Sequence, residues 1–396
     1  MARLLINDYA GHAFPIQLSR RLAERGHDVL HTYCASVQTP RGPLARRDTD
    51  RAELEVLPIT LRNEFKKYGL GTRWKQEKEL GRKCRAAAER FDPDAILSAN
   101  MPLVAQRELL EYSSFRGKKF VFWVQDLLGL GIRQALRRKI PLFGGLIGNY
   151  FMRLEKSLLM NSQELVLITE DFIPYVPAER REAGNVSVIR NWGPLEELPL
   201  VPKSNPWSRA QGLDDKFCLL YSGTLGMKHN PHLLVELAQG FEKFPDARVV
   251  VATEGPGADY LREKQSALGL QNLVLLPFQP FESLAPMLGT ADILLAVLSE
   301  DASRFCAPSK VLAYLCAGKP LVMAMPKDNL SARIVQEHEA GIVVAPSDSP
   351  AFVQGSLDLK RDSARRAAMA KNGRNYAATA FDLETIADRF EAIIQR

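Results

Sequence analysis

A chain of 396 residues that is 46% hydrophobic and 25% charged is an ordinary globular polypeptide, long enough for two domains with a core each. Its formal net charge of +6 and pI near 9.0 favour anionic partners, such as phosphorylated ligands or an acidic membrane surface, while the lack of zinc-finger spacing, a recognition helix or an RNP motif argues against nucleic acid. No run approaches the ~18 apolar residues of a membrane span, and MARLLINDYAG reads as a strand rather than a signal peptide, so export is not expected.

In chain order, Arg3 to Asn7 is a predicted strand, Asp8 to His12 a turn, Pro15 to Arg25 an amphipathic helix stopped by Gly26, and His27 to Tyr33 the next strand. A βαβ unit of this kind predicts parallel strands with helices on both faces. Strands follow at Leu54 to Pro58, Ala95 to Ser98, Lys119 to Val124, Glu164 to Ile168 and Val186 to Trp192, with helices around Trp74 to Arg90, Leu103 to Ser113 and Tyr150 to Met160. The proline-rich stretch Gly193 to Trp207 reads as a linker. The alternation then resumes, with strands at Phe217 to Tyr221, Ala247 to Thr253, Leu273 to Leu276, Ile293 to Val297, Pro320 to Met325 and Gly341 to Val344, and a last helix at Leu383 to Gln395. The predicted class is α/β, two doubly wound Rossmann-like domains facing across a cleft. The first spans 1–195, the linker 196–212, the second 213–378, and 379–396 is a helix packing back towards the first domain. Ligands are expected at the carboxyl ends of the strands. Five scattered cysteines without a CxxC read as buried free thiols of a reducing compartment.

The stretch with most chemistry is FCLLYSGTLGMKHNPHLLVELA (Phe217 to Ala238), a strand, a glycine turn and a helix. Gly223 and Gly226 allow a tight turn and close approach to a ligand, and Ser222, Thr224 and Lys228 add hydroxyls and a cation. Asn230 is the expected cap and Pro231 fits the first helical turn. Such a loop suits a phosphate, because free N–H groups and the positive end of the helix dipole face the anion. An ordinary βα turn with a solvated lysine stays open beside this reading. APSKVLAYLCAGKPLVMA (Ala307 to Ala324) offers a second helix start, with Pro308 in the first turn, Ser309 as cap or hydroxyl donor and Lys310 as cation. Two such starts in one half point to a diphosphate held between them. FDPD (Phe91 to Asp94) precedes its strand and reads as a turn, and His229 and His232 have no third ligand in view, so no metal site is expected.

Taken together, these features resemble a GT-B glycosyltransferase of the group 1 (GT4) type over nearly the whole chain. The resemblance rests on the N-terminal turn ending in Gly11 with LSRRLAERGHDVL, on RNW (Arg190 to Trp192), SGTLGMK and EGPG (Glu254 to Gly257), and on LLPFQPFESLAPMLGTADILL and PSKVLAYLCAGKPLV. PSK followed by AGKP is similar to the subgroup that assembles bacterial surface polysaccharides. The resemblance implies that Lys228 holds the donor diphosphate and that Gly223 lets the backbone approach it. It puts Ser309 and Lys310 at the leaving phosphate, Pro277, Phe278 and Gln279 at the nucleotide base, Gly11 and His12 near the sugar and acceptor, and Asp126 of WVQDLLG in the cleft. The implied chemistry thus falls to Lys228, Lys310 and Asp126, and donor binding to Ser222, Gly223, Thr224, Gly255, Phe278, Gln279, Pro308 and Ser309. Two features depart from the family, at three positions. Thr224 stands where many relatives have an arginine, and the two glutamates of the EX7E motif are replaced by Phe305 and Ala313. Lys310 is expected to compensate as a phosphate cation.

The implied activity is a retaining transfer from a nucleotide-diphosphate sugar, a UDP-sugar above all, to a glycan or lipid-linked acceptor in cell-envelope or exopolysaccharide assembly. No cofactor or metal is implied, and domain closure would exclude water. A nucleotide-sugar epimerase of similar build and a non-catalytic two-lobed binding protein remain as alternatives. The implied location is the cytoplasm, peripheral on the inner face of the plasma membrane. There the basic segment Leu61 to Lys83 and Arg137 to Lys139 would meet anionic lipid, or would simply be solvated helix faces.

Overall fold

Strands rich in Leu, Ile and Val with no polar alternation are buried on both faces, and each needs a helix on either side to cover it. The structure, a computed structural model, describes residues 1–37, 41–63, 70–99, 101–139, 144–226, 229–300 and 308–396. It divides into two units, Met1–Asn191 with Leu383–Arg396, and Trp192–Asp382.

The first unit runs β1 (Arg3–Asp8), α1 (Ala13–Glu24), β2 (Asp28–Cys34), β3 (Leu54–Ile59), α2 (Leu70–Phe91), β4 (Ala95–Ala99), α3 (Leu103–Arg116), β5 (Lys119–Val124), α4 (Leu128–Lys139), α5 (Gly144–Asn161), β6 (Glu164–Leu167), α6 (Ala178–Glu182) and β7 (Val186–Val188). The sheet order is β3-β2-β1-β4-β5-β6-β7, all pairs parallel, so the direction of winding reverses between β1 and β4. Chain end Leu383–Gln395 returns as a helix of this unit. Arg25 pairs with Asp388 at 2.8 Å and with Glu391 at 2.5 Å, and Phe390 packs 4.7 Å from Trp123 of β5. Lys119 donates to the terminal carbonyls of Ile393 and Ile394 at 3.0 and 3.1 Å, closing the helix's negative end.

Several helices of this unit differ from expectation: α2 begins at Leu70 rather than Trp74, and the short α6 has no predicted counterpart. The segment Leu128 to Lys139 has no predicted helix, yet it forms α4, and α5 begins at Gly144 rather than Tyr150. Glycines that weaken the sequence signal are what let these helices approach one another. A Cβ on Gly148 would lie 2.8 Å from Arg133 Cα, and one on Gly144 would strike the Leu136 carbonyl. The last predicted strand is also shorter, ending at Val188 rather than Trp192.

The second unit runs α7 (Pro206–Ala210), β8 (Phe217–Ser222), α8 (His232–Phe241), β9 (Ala247–Ala252), α9 (Pro256–Leu268), β10 (Leu273–Leu276), α10 (Leu284–Thr290), β11 (Ile293–Val297), α11 (Ser309–Cys316), β12 (Leu321–Ala324), α12 (Leu330–Glu337), β13 (Gly341–Val344), α13 (Ser349–Arg361) and α14 (Ser363–Ala380). Its sheet, β10-β9-β8-β11-β12-β13, is again all parallel and reverses at β8. The stretch read as a linker, 196–212, lies inside this unit. Asn205 accepts the Ser208 N–H at 3.0 Å to start α7 and donates to the Pro286 carbonyl at 3.0 Å, so its prolines belong to packed wall rather than free hinge. Cys34, Cys84, Cys218 and Cys316 are free and buried, and burial raises the pKa of each thiol; Cys306 lies outside the described residues. Among the described residues, no helix is long and apolar enough to cross a membrane.

Candidate active site

In the second unit, the residues expected to hold the donor come from four adjacent strands, all at their carboxyl ends. The turn after β8 starts at Ser222, and Gly223 takes φ +117°, where a side chain is strained. The position a Cβ would occupy lies 3.4 Å from Lys310 Cε and 3.6 Å from its Nζ, so the glycine turn and the start of α11 meet there. Lys310 Nζ stands 3.6 Å from the centre of the Tyr221 ring, donates to the Tyr221 hydroxyl and lies 3.5 Å from the Thr224 carbonyl. Pro308 is the N-cap of α11, and no side chain caps the helix; Ser309 is its exposed first residue rather than its cap. The first amides of the helix and the Lys310 ammonium thus form one positive pole.

Two tyrosines unremarked in the sequence reading hold this arrangement. Tyr314, one helical turn after Lys310, accepts the Ser222 N–H at 2.8 Å and donates to the Ser222 carbonyl at 3.1 Å, while the Tyr221 hydroxyl donates to Thr224 O at 2.8 Å. Burial raises both phenol pKa values, so both stay neutral donors. The four-residue interval from Lys310 to Tyr314 was the available signal; Tyr221 is hidden in a run that reads only as a buried strand. On the other side, a Cβ on Gly257 in the first turn of α9 would run into the Leu225 carbonyl, so the glycine turn is wedged between α9 and α11.

Gly255, at φ +90°, is the N-cap of α9. Glu254 Oε1 accepts the Phe278 N–H at 3.2 Å, and Gln279 Oε1 accepts the Trp207 indole N–H at 3.1 Å, which ties the segment after β10 to both α9 and α7. Asn230 does not cap α8: it sits at φ +48° and sends Nδ2 to the Pro346 carbonyl at 3.5 Å, while Pro231 is the N-cap. Lys228 lies outside the described residues, as does Phe305. Ala313 is half-buried on α11.

In the first unit, Gly11 takes φ +72°, and a Cβ there would lie 2.8 Å from Leu44 Cδ1. His12 is the N-cap of α1, and its ring stacks on Phe14 at 5.6 Å. The sequence reading missed Asp8, fully buried at the end of β1: its carboxylate accepts the N–H groups of His12 and, at 3.3 Å, of Ala10. Its Oδ1 lies 3.5 Å from His12 Nδ1. Burial works against the charged imidazole, but the hydrogen bond and charge of Asp8 and the charge of Asp126 prevail, and the His12 pKa is raised. Asp126, in the turn between β5 and α4, is therefore brought near His12. Among the described residues, no cluster of three His, Cys, Asp or Glu could hold a metal ion.

Residues 204–376 match the family Glycosyl transferases group 1. The chain is 25% identical over 240 residues to the Escherichia coli (strain K12) protein named as a colanic acid biosynthesis glycosyl transferase, WcaI; the match covers 59% of this chain and 57% of that relative, so it spans less than two thirds of WcaI. Among solved structures, the crystal structure of Anabaena Alr3699/HepE in complex with UDP-glucose has a TM-score of 0.72 at 16% identity, covering 100% of both chains. Sucrose-phosphate synthase from Thermosynechococcus elongatus has a TM-score of 0.74 at 15% identity, covering 100% of this chain and 98% of that one. Residues 204–376 thus match a glycosyl transferases group 1 domain, and the two parallel-sheet units share the GT-B fold of these solved structures.

Proposed function

We propose that the protein transfers a glycosyl group from a nucleoside-diphosphate sugar, with a UDP-sugar favoured, to a hydroxyl of a glycan or lipid-linked acceptor in cell-envelope or exopolysaccharide assembly, and that it retains the anomeric configuration. The observation that carries this is the convergence of Gly223, the uncapped start of α11 and Lys310 at the reversal point of the second sheet. As the bond from the anomeric carbon to the diphosphate oxygen breaks, its electron pair goes to the departing phosphate, and the sugar takes on oxocarbenium character. Amides and an ammonium already aimed at that charge lower the barrier more than they tighten ground-state binding. Lys310 and the α11 amides perform this task together with Lys228. Phe278 and Gln279 face the base, Gly11 and His12 hold the acceptor side, and Asp126 orients the acceptor hydroxyl and takes its proton as the new glycosidic bond forms. No metal or other cofactor takes part. The HepE complex named above contains UDP-glucose, and WcaI is named for a polysaccharide pathway, which supports this choice of donor and product class.

We further propose that acceptors are met at an anionic membrane surface on the cytoplasmic side. A groove of about 440 Å³ is lined by Arg62, Trp74, Lys75, Lys78, Arg82 and Lys83 with a single acid, Glu79, and Trp74 is 41% exposed there. Lys66 and Lys67 of the same basic segment lie outside the described residues. Loss of sedimentation with anionic vesicles in Lys78→Glu/Arg82→Glu is the expected result, and unchanged sedimentation ends the membrane proposal alone.

Incubation with UDP- and GDP-sugars tests the main reading. Slow hydrolysis or transfer supports a transferase, interconversion of the free donor an epimerase, and binding without turnover a receptor. Lys310→Ala should lower transfer by about a hundredfold, the scale of losing one donor to a developing oxyanion; an unchanged rate and donor affinity would remove Lys310 from the mechanism.

A further inference from the structure

Glu155, on α5, is a carboxylate with only 5% of its surface exposed and a position far along the chain from any residue assigned above. It serves as the N-terminal cap of a different helix. The backbone N–H groups of Gly129, Leu128 and Leu130 converge on it, the first at 2.9 Å, and these are the opening residues of α4. Gly129 is the residue that makes this fit: a Cβ there would lie 2.8 Å from Glu155 Oε2 and 2.9 Å from the Phe151 carbonyl. The turn fixed in this way is the one that carries Asp126, two residues before α4 begins.

We propose that Glu155 is a positioning residue: from α5 it clamps the first amides of α4, and so sets the height and direction of the turn that presents Asp126. The inference rests on the role given to Asp126 above. A helix whose opening N–H groups are held by a buried ionised carboxylate gains a charge-assisted anchor in a setting where water cannot substitute for it. A neutral acid in the same place accepts more weakly, so the anchor is tightest when Glu155 is ionised. Burial, first of all, and the neighbouring Asp126 hold the proton on, whereas the three amides favour its loss; the balance lifts the pKa from 4.5 to about 7. Of the other charges nearby, Arg133 packs against Gly148, two turns before Glu155 on α5. On α3, the remaining helix against α5, Arg107 pairs with Glu111 at 3.6 Å and Glu108 leans on Gly81. Arg153 and Lys156 of α5 itself are exposed.

Two measurements on the full chain test this. Amide hydrogen exchange at Leu128, Gly129 and Leu130 should be about tenfold slower above about pH 7 than below it, after correction for intrinsic exchange, and this step should vanish in Glu155→Gln, which keeps shape and an acceptor oxygen. In transfer assays with a UDP-sugar that the wild type consumes, Glu155→Gln should lower kcat about tenfold with donor KM unchanged and lose the rise of kcat through neutral pH. Equal exchange and an equal pH profile in wild type and Glu155→Gln overturn the inference, whether or not Glu155→Ala folds. Asp126→Asn separates the two ideas: wild-type transfer in that variant refutes the role of Asp126, while a strong loss there beside a wild-type Glu155→Gln refutes only the positioning.

Discussion

At Gly223 it is the backbone torsion that demands glycine, with the Lys310 side chain resting beside it. With φ at +117° an alanine would be strained, while its Cβ would rest in ordinary contact with Lys310 Cε at 3.4 Å. Gly223→Ala should cost on the order of 1–2 kcal/mol of stability, read from denaturant unfolding, and should raise donor KM about tenfold. His12 gives a residue-scale prediction in pH. Its folded pKa is raised by Asp8 and Asp126, so the stability it contributes is fully present below the unfolded value of 6.5 and is lost as pH rises through the folded value. His12→Gln should therefore cost more at about pH 6 than at about pH 8.5 in the same unfolding assay. The glycine turn at Gly223 and the cation at the helix start, Lys310, which the fold brings together, are legible in the sequence because such turns and helix starts have local signatures. Asp8 and Tyr221 are not: Asp8 reads as an ordinary turn residue and Tyr221 as an ordinary strand residue until their partners are placed.

The start of α11 depends on a contact that no single element carries. Tyr314 both donates to and accepts from the backbone of Ser222, so removal of its hydroxyl leaves a partly buried N–H and C=O with one partner fewer each. Tyr314→Phe should destabilise the protein by about 1–3 kcal/mol in thermal or denaturant unfolding and loosen the turn against Lys310, seen as weaker donor binding. The strands were legible to within a residue or two, with β7 the exception, since uninterrupted Val, Ile and Leu runs bounded by Gly and Pro have few other readings. Helix α4 was not legible, and neither was the first turn and a half of α5. Local propensity counts Gly129, Gly131, Gly144 and Gly148 as breaks, while packing uses three of them for close approach. Proline misled in the same way over 196–212, which is fixed by Asn205 rather than free.

Over the whole molecule, two buried groups of the first unit set opposing slopes of stability with pH. His31, bonded to Ser19 Oγ at 2.8 Å, has its pKa lowered from 6.5 to about 4, by burial first and then by Arg20 against the pull of Asp8. As pH falls through that window the unfolded chain binds the proton first, and stability is lost. Glu155 works the other way: between 4.5 and about 7 the folded chain keeps a proton that the unfolded chain has released, and stability is lost as pH rises. Relative to wild type, Glu155→Gln should gain on the order of 3 kcal/mol across about pH 4.5 to 7, and His31→Gln should lose a similar amount. Parallel, doubly wound sheets were readable at this scale from alternation alone. The membership of each end was less so, because the last helix is joined to its unit by distant contacts alone, such as Arg25 with Asp388 and Trp123 with Phe390.

That return of residues 383–396 makes the second unit an insertion within the first. A ribosome delivers all of Trp192–Asp382 before it delivers the helix that covers Trp123 and closes the face of α1. The half that is begun first is thus finished last: during synthesis the downstream half can fold to completion while the upstream half waits with one side bare.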